Sequence, residues 1–327
     1  MQQTSIKADN QQPPAEARSI QGQEGLGVIL TILSAFGFGI MGIFGTWAYA
    51  NGSTVNTLLV FRFGIAAALF WPYILLTGQQ FRLKRGQVGS FAILGVMYSA
   101  QAFCYFTAIQ YVDVGIALII LYTYPALVTL LSRLIYKEPL TALKLAALAL
   151  AVAGCVLIVL TPVGPQKNLW LGVALSLTNA VIYSSYIIYS TRAVAGQSAV
   201  VSSAYIFGVA AAVLLLVGGF SGEFRPLLVV GWGWLAILGV SLFGTVLAIA
   251  AFFAGLARLG PSRASIISTF EPLVGAVAGF VLLGQQIAGL QLVGGGLVVG
   301  AVILLQLGSR SAPLPPPDLP VKEEQLG

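Results

Sequence analysis

From residue 26 to residue 308 the chain is a succession of long apolar runs separated by short polar or Gly/Pro-rich breaks. Ten runs can be delimited, at 26–49, 55–77, 89–110, 113–135, 142–161, 169–192, 199–219, 232–257, 263–283 and 289–308. At about 1.5 Å of rise per residue, each is long enough to cross a hydrocarbon core about 30 Å thick as a helix. Lipid offers no hydrogen bonds to the backbone, so only helices and closed barrels span it. A barrel strand alternates apolar and polar residues, and these runs do not. The pattern predicts an all-α polytopic membrane protein with ten transmembrane helices. The breaks, such as Asn51-Gly52-Ser53 and Thr161-Pro162-Val163-Gly164-Pro165, leave no room for a soluble domain. Asn51-Gly52-Ser53 also fits a glycosylation acceptor, but its place tight against a span reads as a turn.

Composition sharpens this picture. Of 327 residues, 58% are hydrophobic and 8% charged, with a mean hydropathy of +0.93. A compact water-soluble domain carries about 25% charged residues and cannot hide this much apolar surface. There is no histidine, which excludes His-dependent nucleophile systems and His-bearing metal sites. Aspartate occurs only at Asp9, Asp113 and Asp318, so no intramembrane aspartyl pair forms. No Gly-Lys dipeptide is present to build a phosphate-binding loop. No cofactor and no metal are expected, and an intramembrane enzyme is disfavoured. Cys104 and Cys155 lie in apolar runs and read as small buried hydrophobes. Residues 1–24 and the Pro-rich 309–327 read as disordered tails, and no cleavable signal begins at Met1.

The net charge of +6 is explained by topology rather than by nucleic acid. With the N-terminus inside, thirteen Lys and Arg fall on the inner side, and only Lys167 and Arg225 on the outer. That asymmetry places both termini in the cytoplasm under the positive-inside rule.

The first five spans are echoed by the second five. Leu26-Gly27-Val28 aligns with Leu171-Gly172-Val173, and Thr46, Ala48 and Ser53 with Thr191, Ala193 and Ser198, at an offset of 145. Ala117 and Pro125 align with Ala264 and Pro272 at an offset of 147. Five is odd, so the second copy enters the membrane inverted. The charges invert with it: Lys137-Glu138-Pro139 faces inside, and its counterpart Gly284-Gln285-Gln286 faces outside without charge. Inverted repeats enclosing a site at their interface are a transporter architecture. The expected organisation is a tail (1–24), a first five-helix repeat (25–165), an inverted second repeat (166–308) and a tail (309–327), around a central cavity.

With Phe61-Arg62-Phe63 in the second span, Tyr124-Pro125 in the fourth, Lys137-Glu138-Pro139 after it and Glu271-Pro272 in the ninth, residues 26–308 resemble the EamA-type members of the drug/metabolite transporter superfamily. The YddG-like amino-acid exporters are one branch. The resemblance implies a basket-shaped bundle in a bacterial plasma membrane, a central substrate cavity, and export of amino acids or other metabolites. Gln285-Gln286 departs from the family's Glu-Pro after the second repeat's fourth span.

The candidate site follows from polar residues at membrane depth. Arg62 lies about 10 Å into its span, where a charge costs at least about 2.5 kcal/mol unless it finds a partner or water. Glu271 lies near the middle of the ninth span. Either faces the cavity, or the two pair across it, or each serves structure alone. Tyr98, Gln101 and Tyr105 share one helix face in the third span; Asn179, Tyr183 and Tyr186 share one in the sixth. Lipid would not stabilise Gln101 or Asn179, so both should face protein or water. Repeat symmetry adds Thr245 and Phe252 as partners of Tyr98 and Tyr105. Tyr122 is read as a wall. Pro125 and Pro272 remove backbone donors, free the carbonyls of Leu121 and Ser268, and are candidate hinges. The glycine spacings 275–279 and 296–300 read as close helix packing.

These residues make an amphipathic cavity with aromatic walls and few charges. The expected partners are a small-molecule substrate and the lipid bilayer, with no nucleic acid, and a monomer suffices. The reading is a secondary transporter exporting small metabolites, neutral or aromatic amino acids foremost, by alternating access. Proton-coupled efflux of lipophilic or cationic drugs stays open through Glu271, and a non-transporting scaffold or receptor is the rival from another class.

Overall fold

The computed structural model describes residues 15–83, 85–136, 141–161, 167–194 and 196–309. The residues before 15, Lys137-Glu138-Pro139, Pro162-Val163-Gly164-Pro165 and the residues from 310 on lie outside them. Among the described residues are thirteen α-helices: α1 (Ala15–Ala50), α2 (Val55–Leu76), α3 (Arg85–Ala108), α4 (Val114–Leu121), α5 (Tyr124–Tyr136), α6 (Ala142–Leu160), α7 (Leu169–Ala193), α8 (Ala199–Ser221), α9 (Trp232–Ser241), α10 (Ala248–Leu259), α11 (Pro261–Ser268), α12 (Phe270–Leu283) and α13 (Gly289–Ser309). α4 with α5 and α11 with α12 each make one broken span, and α9 runs into α10 through the π turn Leu242–Leu247, giving ten membrane-crossing lengths among the described residues. α1 begins at Ala15, so the last part of the stretch assigned to a tail is helical.

Local chemistry sets several boundaries. Thr54, Thr141, Asn168 and Ser198 cap α2, α6, α7 and α8 by accepting from the backbone N–H three residues on. α1 closes where Gly52 takes φ 86°, letting the Ser53 and Gly52 N–H groups return to the Ala48 and Tyr49 carbonyls.

The inverted repeat is visible in the packing. α1 lies against α9, α10 and α12; its counterpart α7 lies against α3, α4 and α5. α2 packs on α8, and α6 on α13, each pair mapping onto itself when the halves are exchanged. The fourth and ninth spans match only in part: α4 packs on α12, whereas α5 and α11, the pair that exchange would give, make no comparable contact among the described residues. Close approach matters most at Gly39 of α1, where an added Cβ would meet the Glu271 carbonyl and the Val274 side chain of α12. The reading of 296–300 as a packing motif is corrected. A Cβ at Gly296 or Gly300 meets nothing, and the tight contact of α13 falls at Gly294, against Gly154 and Ile158 of α6. Spacing showed a small-residue face but not which turn of it meets a neighbour.

Candidate functional site

The site begins at the two broken spans. α4 stops at Leu121 and α5 restarts at Tyr124, just before Pro125; α11 stops at Ser268 and α12 restarts at Phe270, two residues before Pro272. Pro272 supplies no N–H to the Ser268 carbonyl. The Tyr122 hydroxyl takes that role, donating to Ser268 O at 2.7 Å. It also lies 2.9 Å from Glu271 Oε2. One hydroxyl hydrogen serves one of these acceptors fully at a time, so the bond links the break of one half to the carboxylate of the other.

Around this junction lies an inner chamber of about 120 Å³, lined by Phe38, Met41, Arg62, Tyr98, Gln101, Tyr105, Leu118, Leu121, Tyr122, Tyr124, Tyr183 and Glu271. Arg62 is 2% exposed. Its Nε donates to Thr245 Oγ1 at 2.9 Å, and its guanidinium carbon sits 4.9 Å from the Phe63 ring centre and 5.3 Å from that of Phe106. Those contacts favour a desolvated guanidinium, which stacks on aromatic faces. No carboxylate among the described residues pairs with it. The Arg62–Glu271 pair held open by the sequence therefore does not form: cation and anion face one chamber separately. Thr245 can serve Arg62 because Leu242–Leu247 winds as a π turn, in which Thr245 Oγ1 donates five residues back to the Val240 carbonyl at 2.9 Å.

An outer chamber of about 450 Å³ continues from the inner one, sharing Phe38, Tyr98, Tyr122, Tyr124, Tyr183 and Glu271 with it. It reaches Ser203 near the start of α8 and Gln306 near the end of α13. Ten spans are an even number, so this mouth lies on the membrane side where both described chain ends lie. Its wall is a run of ring contacts: Tyr122–Tyr124 at 5.8 Å, Tyr124–Tyr183 at 4.9 Å, Tyr183–Tyr186 at 6.0 Å and Tyr186–Tyr98 at 5.4 Å. On the opposite side a separate vestibule, lined by Tyr49, Asn56, Gln110 and Glu223 among others, ends short of Arg62. There the Tyr49 hydroxyl donates to the Phe106 carbonyl at 2.9 Å, tying α1 to α3.

Of the residues expected from sequence, Arg62, Tyr98, Gln101, Tyr105, Tyr122, Tyr183 and Glu271 line the inner chamber. Tyr186, Phe252 and Pro125 line the outer one. Pro272 instead faces a cleft on the far side of α12. Thr245 lines neither chamber and meets the site only through Arg62. Asn179 is fully buried, lines neither chamber, and neither of its amide atoms has a hydrogen-bond partner. Tyr105 reaches the chamber with an unpartnered hydroxyl. Tyr124 was missed as a site residue, although it occupies the repeat position of Glu271 at the offset of 147. Among the described residues no group of three Cys, Asp or Glu could hold a metal.

The fold and chamber define a class: a polytopic α-helical membrane protein built as an inverted repeat, with broken spans meeting at a buried polar site. The pattern of the EamA-like transporter family matches residues 25–160 and 170–307, and the chain belongs to that family. It is 26% identical over 266 residues to the uncharacterised inner membrane transporter YedA of Escherichia coli, covering 80% of this chain and 85% of that protein. It is 27% identical over 278 residues to an uncharacterised transporter of Archaeoglobus fulgidus, covering 84% and 93%. It is also 28% identical over 253 residues to the threonine/homoserine exporter RhtA of Escherichia coli, covering 75% and 77%. A solved crystal structure superposes with a TM-score of 0.60 at 20% identity, covering 87% of this chain and 97% of the other, which speaks for the fold alone.

Proposed function

We propose that this protein exports small zwitterionic metabolites, neutral or aromatic amino acids foremost, from the cytoplasm across the inner membrane by alternating access. The observation that carries this reading is the separation of charge in the inner chamber. Arg62 offers a guanidinium to a carboxylate, Glu271 offers a carboxylate to an ammonium, and neither neutralises the other. The tyrosine wall accepts an apolar or aromatic side chain. The name of RhtA, an amino-acid exporter, agrees with this class. The mouth opens on the side that the Lys/Arg asymmetry assigns to the cytoplasm, the loading side for an exporter.

In this mechanism the substrate enters past Ser203 and Gln306, meets the tyrosines and sets its two charges on Arg62 and Glu271. Closure of the mouth and opening of the Tyr49–Phe106 side then release it outward. Tyr122 couples the parts. Ionised, Glu271 draws the hydroxyl from Ser268; neutralised by a proton or a bound ammonium, it releases the hydroxyl to that carbonyl and steadies the α11–α12 break. The same carboxylate supports a second reading, proton-coupled efflux of lipophilic cations.

A substrate panel in proteoliposomes separates the two. Exchange of neutral and aromatic amino acids, with apparent affinity weakened by Arg62→Gln and folded yield retained, supports the first reading. Exchange of lipophilic cations that survives Arg62→Gln and fails in Glu271→Gln supports the second. Absence of flux for every class would leave the family's transport activity without a counterpart here.

A further inference from the structure

On the far side of α12 from Glu271 lies a cleft of about 370 Å³ between α4, α12, α13 and the end of α6. Its walls are almost wholly apolar, including Ile116 and Ile119 of α4, Leu273 of α12 and Val299 and Ile303 of α13. Leu273 and Leu292, on its borders, are more than half exposed, so the cleft opens sideways to where acyl chains lie rather than into the central chamber. One end is different: Gln285, Gln286 and Gln291 gather there, at the start of α13, together with Asp113 at the start of α4. Gln291 is 5% exposed. The Ala288 N–H donates to its Oε1 at 3.0 Å, which fixes the oxygen end of the amide. Its Nε2 is left buried and without an acceptor, a costly state for a donor in an apolar surround.

The geometry points to an amphiphile. From Gln291 to Ile303 the cleft follows α13 for about 18 Å at the helical rise, with a donor at the interfacial end and, Thr269 apart, apolar contact below. The floor is open at Gly296, where a Cβ would meet nothing. We propose that this cleft is a phospholipid site. It holds one acyl chain along α13, and an ester carbonyl at the top of that chain accepts from Gln291 Nε2. Thr269, Phe270 and Pro272, the residues around the break that carries Glu271, line the same cleft. The bound chain therefore braces the outer side of the break, and bilayer composition acts on the spans that hold the chamber.

The test needs no transport substrate, so it stands apart from the function proposed above. The full chain is placed in phosphatidylethanolamine/phosphatidylglycerol vesicles doped with a phospholipid carrying a diazirine on its acyl chain. It is irradiated, and the labelled peptides are mapped. The expected result is label concentrated between Gly295 and Ile303 of α13 and on Ile116 and Ile119. Gly296→Phe fills the floor and removes that label. Gly300→Phe, at an equally open position outside the cleft, keeps it. Gln291→Leu lowers it by about five-fold, the net worth of one hydrogen bond. Uniform labelling of all lipid-facing helices in the unaltered chain, with no change in Gly296→Phe, overturns the proposal. So does a diazirine alkane without a headgroup that labels the cleft as strongly as the phospholipid, since the site is then a plain apolar pocket.

Discussion

Arg62 is oriented by one hydrogen bond, from Nε to Thr245, and stacks on two rings while facing the chamber. A charge-assisted hydrogen bond is worth more than a neutral one, so Arg62→Gln should weaken the apparent affinity for an amino acid by about tenfold to a hundredfold. Arg62→Lys should rescue little, because a lysine cannot hold Thr245 and present a planar fork together. Concentration dependence of counterflow in proteoliposomes measures both. Tyr122→Phe removes the donor shared by Ser268 and Glu271; the lost bond should cost about 1–3 kcal/mol of stability, read as a lower unfolding temperature in detergent. Polar residues at membrane depth announced themselves in the sequence because lipid does not tolerate them unpartnered. The partner of each was not announced. Arg62 and Asn179 stood out alike, yet one faces the chamber and the other is walled in among helices. That difference lies in the rotation of each helix, which a polar stripe fixes only to within a turn.

At the scale of elements, the spans were legible because an uninterrupted apolar run of this length has one stable form in lipid. The breaks at Tyr122–Thr123 and Thr269 were legible because proline subtracts a donor at a known position. The π turn at Leu242–Leu247 was not, because no local residue type demands it; its register is stabilised by Thr245 serving an arginine from another helix. Pro272→Ala restores a backbone donor to the Ser268 carbonyl and displaces the Tyr122 hydroxyl from it. The expected outcome is slower turnover with substrate affinity near that of the unaltered chain, seen as a fall in maximal flux at constant half-saturation. Gly39→Ala forces a Cβ against the Glu271 carbonyl, which is backbone and cannot swing aside. Overpacking of this kind costs about 1–3 kcal/mol and should shift the α12 break, lowering thermal stability and flux together.

At the scale of the whole molecule, the export proposed above calls for two arrangements of the bundle, one with each side open, and the pairings of α2 with α8 and of α6 with α13 survive exchange of the two halves. The structure holds the one whose mouth passes Ser203 and Gln306, while the Tyr49 vestibule stays closed off from Arg62. The conformational partner was legible only as a consequence of the odd number of spans per repeat. Which side is open had no trace in the residue pattern, since apolar runs mark the spans and not the tilt between the halves. The most direct test is a pair of spin-label distances in proteoliposomes, with and without a transported amino acid. One pair sits at Thr129 and Ser203, on opposite halves at the mouth; the other at Gln110 and Glu223, on opposite halves at the vestibule. Substrate should shorten the first distance and lengthen the second in the same population of molecules. Flux that persists while both distances stay fixed, or while both change in the same direction, would contradict alternating access around this chamber.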